Sequence, residues 1–334
     1  MQASNKNASQ KQFWRGAAAG TLNNGLGVLG GDFTKKVTLT VLGPMAGAAV
    51  ESVAGASLLM LLAYRDRVAD GLFRRGRPAA PRSRLPLTRP VVVNMILAGL
   101  VQGALKAMLV ASLVTVSVGI MSPLGMAVPL ALYGIEAWRE RHHMAAVLVP
   151  LITLVGVALI ARPQTGKVNL AGVGFALASG AANALLAVLY GRLLSIGGAT
   201  KKEADEVGLK AFAWAAFLGA GTLTVCAAIM GGDFGPVANW RVAVTMILGA
   251  ALFSTVPRML YAVARRSLSL GTFSLLGATS PLMALLVDMA ASRRFPDVHQ
   301  ALGVLAIMVA ACGVAHLKGR DARLELNARG VSTP

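Results

Sequence analysis

The chain has 334 residues, of which 55% are hydrophobic and 14% charged, and its formal net charge is +18. This composition lies far outside the usual mixture of a soluble domain, so it excludes an ordinary soluble enzyme and predicts an all-α integral membrane protein. A basic chain could bind nucleic acid, but the positive charges lie mainly between the hydrophobic runs, and we expect no nucleic-acid partner.

Ten hydrophobic runs follow one another along the chain, each close to the roughly 20 apolar residues that a membrane-spanning helix needs. A polar leader, residues 1–13, precedes them, and no cleavage site follows it, so we expect the first run to be retained. The first run is rich in glycine and contains Asn23, Asn24 and Asp32. The predicted spans are Trp14–Phe33, Leu42–Tyr64, Val91–Val114, Ser117–Trp138, Met144–Ala161, Val168–Tyr190, Ala211–Met230, Val242–Ala264, Leu268–Ala290 and His299–Leu317.

Most of the 32 lysines and arginines lie in the leader, the tail and every second connection between the predicted spans. The positive-inside rule therefore predicts a multi-pass protein of the cell membrane with both termini in the cytoplasm. Attraction to anionic lipid headgroups is a secondary consequence of the same charges.

The second span is interrupted by Glu51, within the stretch AAVESVAGA. The small residues on both sides permit close approach of a neighbouring helix. An isolated carboxylate in hydrocarbon either takes up a proton or pairs with a cation. Glu51 is therefore a candidate proton carrier and, equally, a candidate fixed partner for a lysine.

Two cations are predicted to lie within spans, Lys106 in the third and Arg258 in the eighth. A charge at the bilayer centre costs at least about 2.5 to 3.5 kcal/mol, so it marks a transport pathway or an ion pair. We expect both cations, with Gln102, to contact a substrate that carries an anionic group such as a carboxylate. The alternatives are pairing of Lys106 with Glu51 or Asp32, extension of Arg258 toward the cytoplasm, and a helix-to-helix hydrogen bond for Gln102.

The motif S-x-G-x-x-S-x-L-G-x-x-x-P-L begins at Ser117 and again at Ser269, an offset of 152 residues. Repetition on this scale predicts two copies of one unit. The copies are residues 14–161 and 162–317, each with five predicted spans, and residues 318–334 form a cytoplasmic tail. Because five is odd, the second copy is expected to insert upside down relative to the first, with a binding site near the midplane between them.

Each copy has an acid seven residues after its motif proline, Glu136 after Pro129 and Asp288 after Pro281. Seven residues are about two helical turns, so each acid shares a face with its proline. Both prolines are predicted to kink their helices. The two acids are candidates for proton coupling or gating near opposite membrane faces, and the alternative is a pair of interfacial acids beside headgroups and arginines.

At these residues, and in the run LGAALFSTVPRMLYAVARRSLSLGTFSLLGATSPLMALLVD, the sequence resembles the EamA-type ten-helix transporters of the drug/metabolite transporter superfamily. The resemblance extends from Gly16 to Leu317 and implies secondary transport of small organic solutes, often outward. One feature of the family is missing. His142 and Arg294 stand where it commonly has an acid, about thirteen residues after the proline, so no mechanism is carried over from that acid.

These observations predict a proton-coupled exporter of a metabolite, amino acid or drug. A passive facilitator of the same fold, which would need no proton carrier, is the alternative. An intramembrane enzyme would need a nucleophile with its base or clustered metal ligands, and the histidines at 142, 143, 299 and 316 have no ligand spacing. We therefore expect no enzyme activity, no metal and no cofactor. The expected partners are a small-molecule substrate and membrane lipid, and a homodimer is left open.

Overall fold

The computed structural model describes residues 2–65, 85–139, 143–161, 169–196, 201–267, 279–293 and 295–328. In these ranges the chain is helical and contains no strand. The twelve α-helices are α1 Gln2–Phe33, α2 Leu39–Leu42, α3 Pro44–Ala63, α4 Arg89–Thr115, α5 Val118–Arg139, α6 His143–Ala161, α7 Leu170–Leu194, α8 Lys201–Ile229, α9 Trp240–Ala250, α10 Val256–Ser267, α11 Thr279–Ser292 and α12 Val298–Ala328.

In the described ranges, six helical segments are both long and apolar enough to cross a membrane, and three shorter segments are apolar. Large apolar side chains point outward from these helices: Leu154, Leu248 and Val309 are each more than half exposed. This surface suits a lipid environment. The prediction of an all-α protein with membrane-spanning helices is confirmed, while the count of ten spans stays a prediction. The six segments are Pro44–Ala63, Arg89–Thr115, His143–Ile160, Leu170–Leu194, Glu203–Ile229 and Trp240–Ala264.

Two helices contain a π-turn, in which one extra residue widens the backbone ring. The first, Thr34–Thr38, joins α1 to α2, and the second, Ala251–Thr255, joins α9 to α10. After α2 the chain breaks at Gly43, whose φ of 76° is a left-handed conformation that glycine adopts without strain. Pro44 then occupies the first turn of α3, where its missing N–H costs nothing.

The chain forms two compact units. Unit 1 contains residues 1–32, 115–180 and 256–334, and unit 2 contains residues 33–114 and 181–255. Each unit therefore draws helices from both predicted sequence repeats. Two of the four points at which the chain passes from one unit to the other lie beside the π-turns, at residues 32–33 and 255–256.

Helices that hold the same position in the two predicted repeats pack against each other within a unit. These pairs are α3 with α8, α5 with α11, and α6 with α12. The pairs are antiparallel: in the last one, Gly156 lies beside Ile307, and Ile160, one turn later, lies beside Gly303. Tyr64 at the end of α3 likewise contacts Trp214, while Ala46 near its start lies beside Gly232 after α8.

Glycine sets the separation of α6 and α12 in unit 1. A Cβ atom at position 303 would lie 2.6 Å from the Gly156 carbonyl oxygen, which is backbone and cannot move aside. The residues around this contact form the core of the unit, in which Leu124, Ile160 and Ile307 are fully or almost fully buried. The two helices can therefore meet at this distance only because both positions lack a side chain.

We expect Gly303→Ala to destabilise the protein by about 1 to 3 kcal/mol, since the added methyl group must push the α6 backbone away. Thermal unfolding of the detergent-solubilised protein measures the loss. Gly313→Ala is the matched control, because it lies in the same helix and a Cβ there meets nothing within 4 Å. Equal stability of the two variants would show that the contact does not hold the helices together.

Candidate functional site

A partly buried ion pair lies in unit 2, between α3 and α4. The Lys106 Nζ atom is 2.7 Å from Glu51 Oε1, and the two side chains are 21% and 2% exposed. This distance is that of a strong charge-assisted hydrogen bond. The structure therefore brings together two of the predicted site residues, in the pairing that the sequence left open beside substrate contact.

Thr34 holds the other oxygen of the same carboxylate. Its hydroxyl donates a 2.9 Å hydrogen bond to Glu51 Oε2, and both side chains are buried. Thr34 is the first residue of the π-turn that follows α1. Each Glu51 oxygen thus has a partner on a different segment, so the position of the acid depends on three segments of unit 2.

The second π-turn reaches α3 one helical turn further along. Thr255 donates a 3.0 Å hydrogen bond to the Gly55 carbonyl, and a Cβ atom at Gly55 would lie 2.8 Å from the Ser254 hydroxyl. The ring of Phe33, directly before the first π-turn, lies 5.4 Å between centroids from the ring of Phe253 in the second. π-turns within helices occur frequently at functional sites, and here both surround the helix that carries Glu51.

Close packing of α4 on α8 positions Lys106. Cβ atoms at Gly99 and Gly103 would lie 2.9 Å and 3.1 Å from backbone oxygens of Ala215 and Gly219 on α8. This glycine pair, four residues apart, is the small-residue spacing that allows helix backbones to approach in membranes. Lys106 follows Gly103 by three residues and so lies near the face that α4 presents to its neighbours.

Gln102 is buried one turn before Lys106, and its amide oxygen accepts a hydrogen bond from the Tyr190 hydroxyl of α7. The Tyr190 ring also packs on Phe212 of α8, with 4.3 Å between centroids. Gln102 therefore joins helices, which was the alternative to its predicted contact with substrate. Its role as a substrate ligand stays a prediction.

Asp288 lies in unit 1, where its carboxylate rests against the first turn of α5. A Cβ atom at Gly119 would be 2.8 Å from Asp288 Oδ2. A helix N-terminus carries partial positive charge and stabilises a nearby carboxylate. One contact joins the same two helices further along, where the hydroxyls of Ser122 and Ser280 are 3.2 Å apart.

The remaining predicted residues are placed as follows. Arg258 is half-buried in α10, three residues after the second π-turn. Pro129 lies inside α5, and Pro281 is the third residue of α11 as described. The side chain of Glu136 and residues 140–142 lie outside the described part of the structure, so its predicted role stays a prediction. In the described residues, no group of three or more histidine, cysteine or acidic side chains could hold a metal ion.

Sequence reasoning missed two features of the site. Thr34 gave no signal, because a threonine at the end of a hydrophobic run is common and the π-turn that aims it has no sequence signature. Lys210 stands one residue before the predicted span Ala211–Met230, where the sequence favours a solvated position, but it is 8% exposed, and its ammonium lies 5.7 Å from the centroid of the Tyr64 ring. Its position ten residues into α8 and four residues before Trp214 could have indicated this burial.

No protein-family model matches the chain, and no curated protein matches it. Among solved structures, the chain is similar to a crystal structure of a protein with a TM-score of 0.55 and 17% sequence identity. That similarity covers 93% of this chain and 99% of the other. At this identity the similarity shows the fold alone: a solved structure shares the fold of this chain over nearly the whole length of both.

Removal of the Thr34 hydroxyl should lower the stability of the folded protein. We expect Thr34→Val to cost about 1.5 to 3 kcal/mol, the usual contribution of a hydrogen bond to a charged group. Thr40→Val is the matched control, since the Thr40 hydroxyl bonds only to carbonyls of its own helical segment among the described residues. Thermal unfolding in detergent compares them, and equal stability would mean that Thr34 does not hold Glu51.

The ion pair itself can be tested by a double-mutant cycle. We expect Glu51→Gln alone to lower the free energy of unfolding by about 2 to 3 kcal/mol, less than for most buried pairs because Lys106 keeps some exposure. Lys106→Met alone should lower it more, because it leaves the more deeply buried charge, that of Glu51, without a partner. The double variant should unfold at a higher temperature than either single variant. Additive losses would show that the two charges do not stabilise each other.

Proposed function

We propose that the protein is a secondary transporter that exports a small organic solute and is coupled to protons. The observation that carries this proposal is the Glu51–Lys106 ion pair, buried within a bundle of apolar helices. Ionisable side chains in membrane-spanning segments are costly and typically line transport or proton pathways.

A purely structural role for the pair is the competing explanation. Two well-packed apolar side chains would often stabilise a bundle as well as, or better than, a buried ion pair. The presence of both charges is therefore better explained by a transport cycle in which the two side chains take part. Lys106 and Glu51 can exchange partners, since one can bind an anion and the other a proton.

The packing of the helices supports an inverted-repeat transporter. Three pairs of helices that the repeat places in equivalent positions pack antiparallel, as they do when one repeat is inverted relative to the other. Such transporters work by moving one helix group against another around a fixed site. The π-turns beside two of the unit boundaries are points at which a helix can bend.

The position of Asp288 supports a role in gating. Its carboxylate lies against the first turn of α5, and a helix N-terminus carries a partial positive charge that attracts a carboxylate. Proton uptake would weaken the contact between α11 and α5. The charge of one side chain would then control how tightly two antiparallel helices of unit 1 hold together.

The proposal is tested with purified protein in liposomes, under an imposed pH gradient and with an internal pH-sensitive dye. Amino acids, organic acids and cationic drugs are added in turn, and we expect one class to trigger proton movement. Asp288→Asn should reduce that movement at least about tenfold, since an amide cannot take up a proton. Asp233→Asn is the control, because that acid is exposed and, among the residues that the structure describes, its one hydrogen bond is from the Gly235 N–H in a connection.

Solute flux that ignores both the pH gradient and Asp288→Asn would contradict proton coupling and indicate a passive facilitator. No flux of any solute with folded protein would contradict transport altogether. Tight solute binding without movement across the membrane would do the same.

A further inference from the structure

We propose that the transported solute carries a carboxylate, which binds the Lys106 ammonium in place of Glu51, and that Glu51 takes up one proton as the solute binds. This inference rests on the transport function proposed above. It names the substrate class and the proton stoichiometry of the same site.

The exposure of the two partners differs in the way that such an exchange requires. Lys106 is 21% exposed, whereas Glu51 is 2% exposed. A solute arriving from outside the pair would therefore meet the ammonium and not the carboxylate. An ammonium binds anions, so the accessible half of the pair selects an anionic group.

The hydrogen-bonding capacity of Lys106 leaves room for a second acceptor. A lysine ammonium has three donors. Among the described residues, Glu51 Oε1 is its one hydrogen-bond partner, at 2.7 Å. A solute carboxylate can thus begin to bind before the bond to Glu51 breaks, which avoids an unpaired charge in the bundle.

Charge balance then requires one proton. The pair alone has no net charge. Addition of a carboxylate would leave a net negative charge in an apolar environment, which is strongly unfavourable. Protonation of Glu51 restores neutrality: one proton joins Glu51 Oε1, the Lys106–Glu51 bond breaks, and a Lys106–solute ion pair forms. The solute anion and the proton therefore occupy the protein together and cross in the same direction, so export of the solute carries one proton out with it.

Thr34 allows this exchange without displacement of the acid. Its hydroxyl donates to Glu51 Oε2, and that oxygen can accept the bond whether Glu51 is ionised or protonated. The proton is left for Oε1, the oxygen that Lys106 releases. The new O–H group points to the side from which the ammonium and the solute approach, where it can donate to the solute carboxylate.

Within the described ranges, no other charged group is paired with Glu51. Its contacts in the described structure are with Lys106 and Thr34. The other described charged side chains on segments packed against α3 or next to them are Arg15, Asp32, Lys35, Lys36, Arg65, Glu203, Asp205, Glu206, Lys210, Asp233, Arg241 and Arg258. Lys210 lies beside Tyr64, thirteen residues from Glu51 and about 20 Å along α3.

The test uses the full-length protein in liposomes and three hydrophilic monocarboxylates, glycolate, gluconate and hippurate, each beside its primary amide. We expect at least one carboxylate to be transported about tenfold faster than its amide, with one proton moving in the same direction per anion. Net uptake is measured under a pH gradient, and exchange is measured as counterflow of labelled solute against unlabelled solute.

Variants separate the two roles. Glu51→Gln imitates the protonated acid, so it should keep exchange within about twofold but lose net uptake about tenfold, because the empty site now holds an unpaired lysine. Lys106→Met should lose both activities. The double variant Glu51→Gln with Lys106→Met, which leaves no stranded charge, should fold and transport nothing, and Asp233→Asn should behave as the parent.

Three results would overturn the inference. They are carboxylate transport without a proton, net uptake that survives Glu51→Gln, and proton-coupled transport confined to neutral or cationic solutes from the wider panel. In each case the protein would still be a transporter. The first result would also contradict the proton coupling in the proposed function, whereas the other two would leave the proposed function in place. Absence of transport of every solute would contradict the proposed function itself, and this inference with it.

Discussion

A charge inside an apolar helix bundle needs a partner, and this requirement shapes unit 2. Glu51 is sealed from solvent, so its two oxygens must each find a donor within the protein. Lys106 supplies one and Thr34 the other. The positions of α3, α4 and the first π-turn are coupled through this one carboxylate, so a change in its charge changes what holds the three segments together.

Glycine makes this arrangement possible. The close contact between α4 and α8 depends on Gly99, Gly103 and Gly219. At each of these positions the backbone of the facing helix occupies the space that a side chain would need. On α3, Gly55 lets the second π-turn approach within hydrogen-bonding distance. In a membrane, where burial of apolar surface does little to drive helices together, such contacts provide the van der Waals packing that does.

Each unit contains one of the sites on which the proposed function rests. Unit 2 contains the Glu51–Lys106 pair, and unit 1 contains Asp288, whose carboxylate lies against the start of α5. The π-turns lie beside the points at which the chain passes between the units, where local bending would be least costly.

The sequence by itself determined the helical class, the apolar spans and the ionisable residues that lie within those spans. Composition and hydrophobic run length are local properties, and an ionisable residue in a long apolar run is visible without any structure. For that reason Glu51, Lys106 and Asp288 could be selected beforehand. The count of ten spans stays a prediction, since six helical segments of the described chain are long and apolar enough to cross a membrane.

Only the tertiary structure decided how these residues pair. Lys106 and Glu51 are 55 positions apart, and Gln102 and Tyr190 are 88 apart, so no local pattern joins them. The π-turn that aims Thr34 at Glu51 depends on one extra residue in a helical ring, which packing imposes and sequence does not encode. Helix-to-helix contact distances, set by glycines on separate segments, fix which charges meet, and that information exists only in the folded chain.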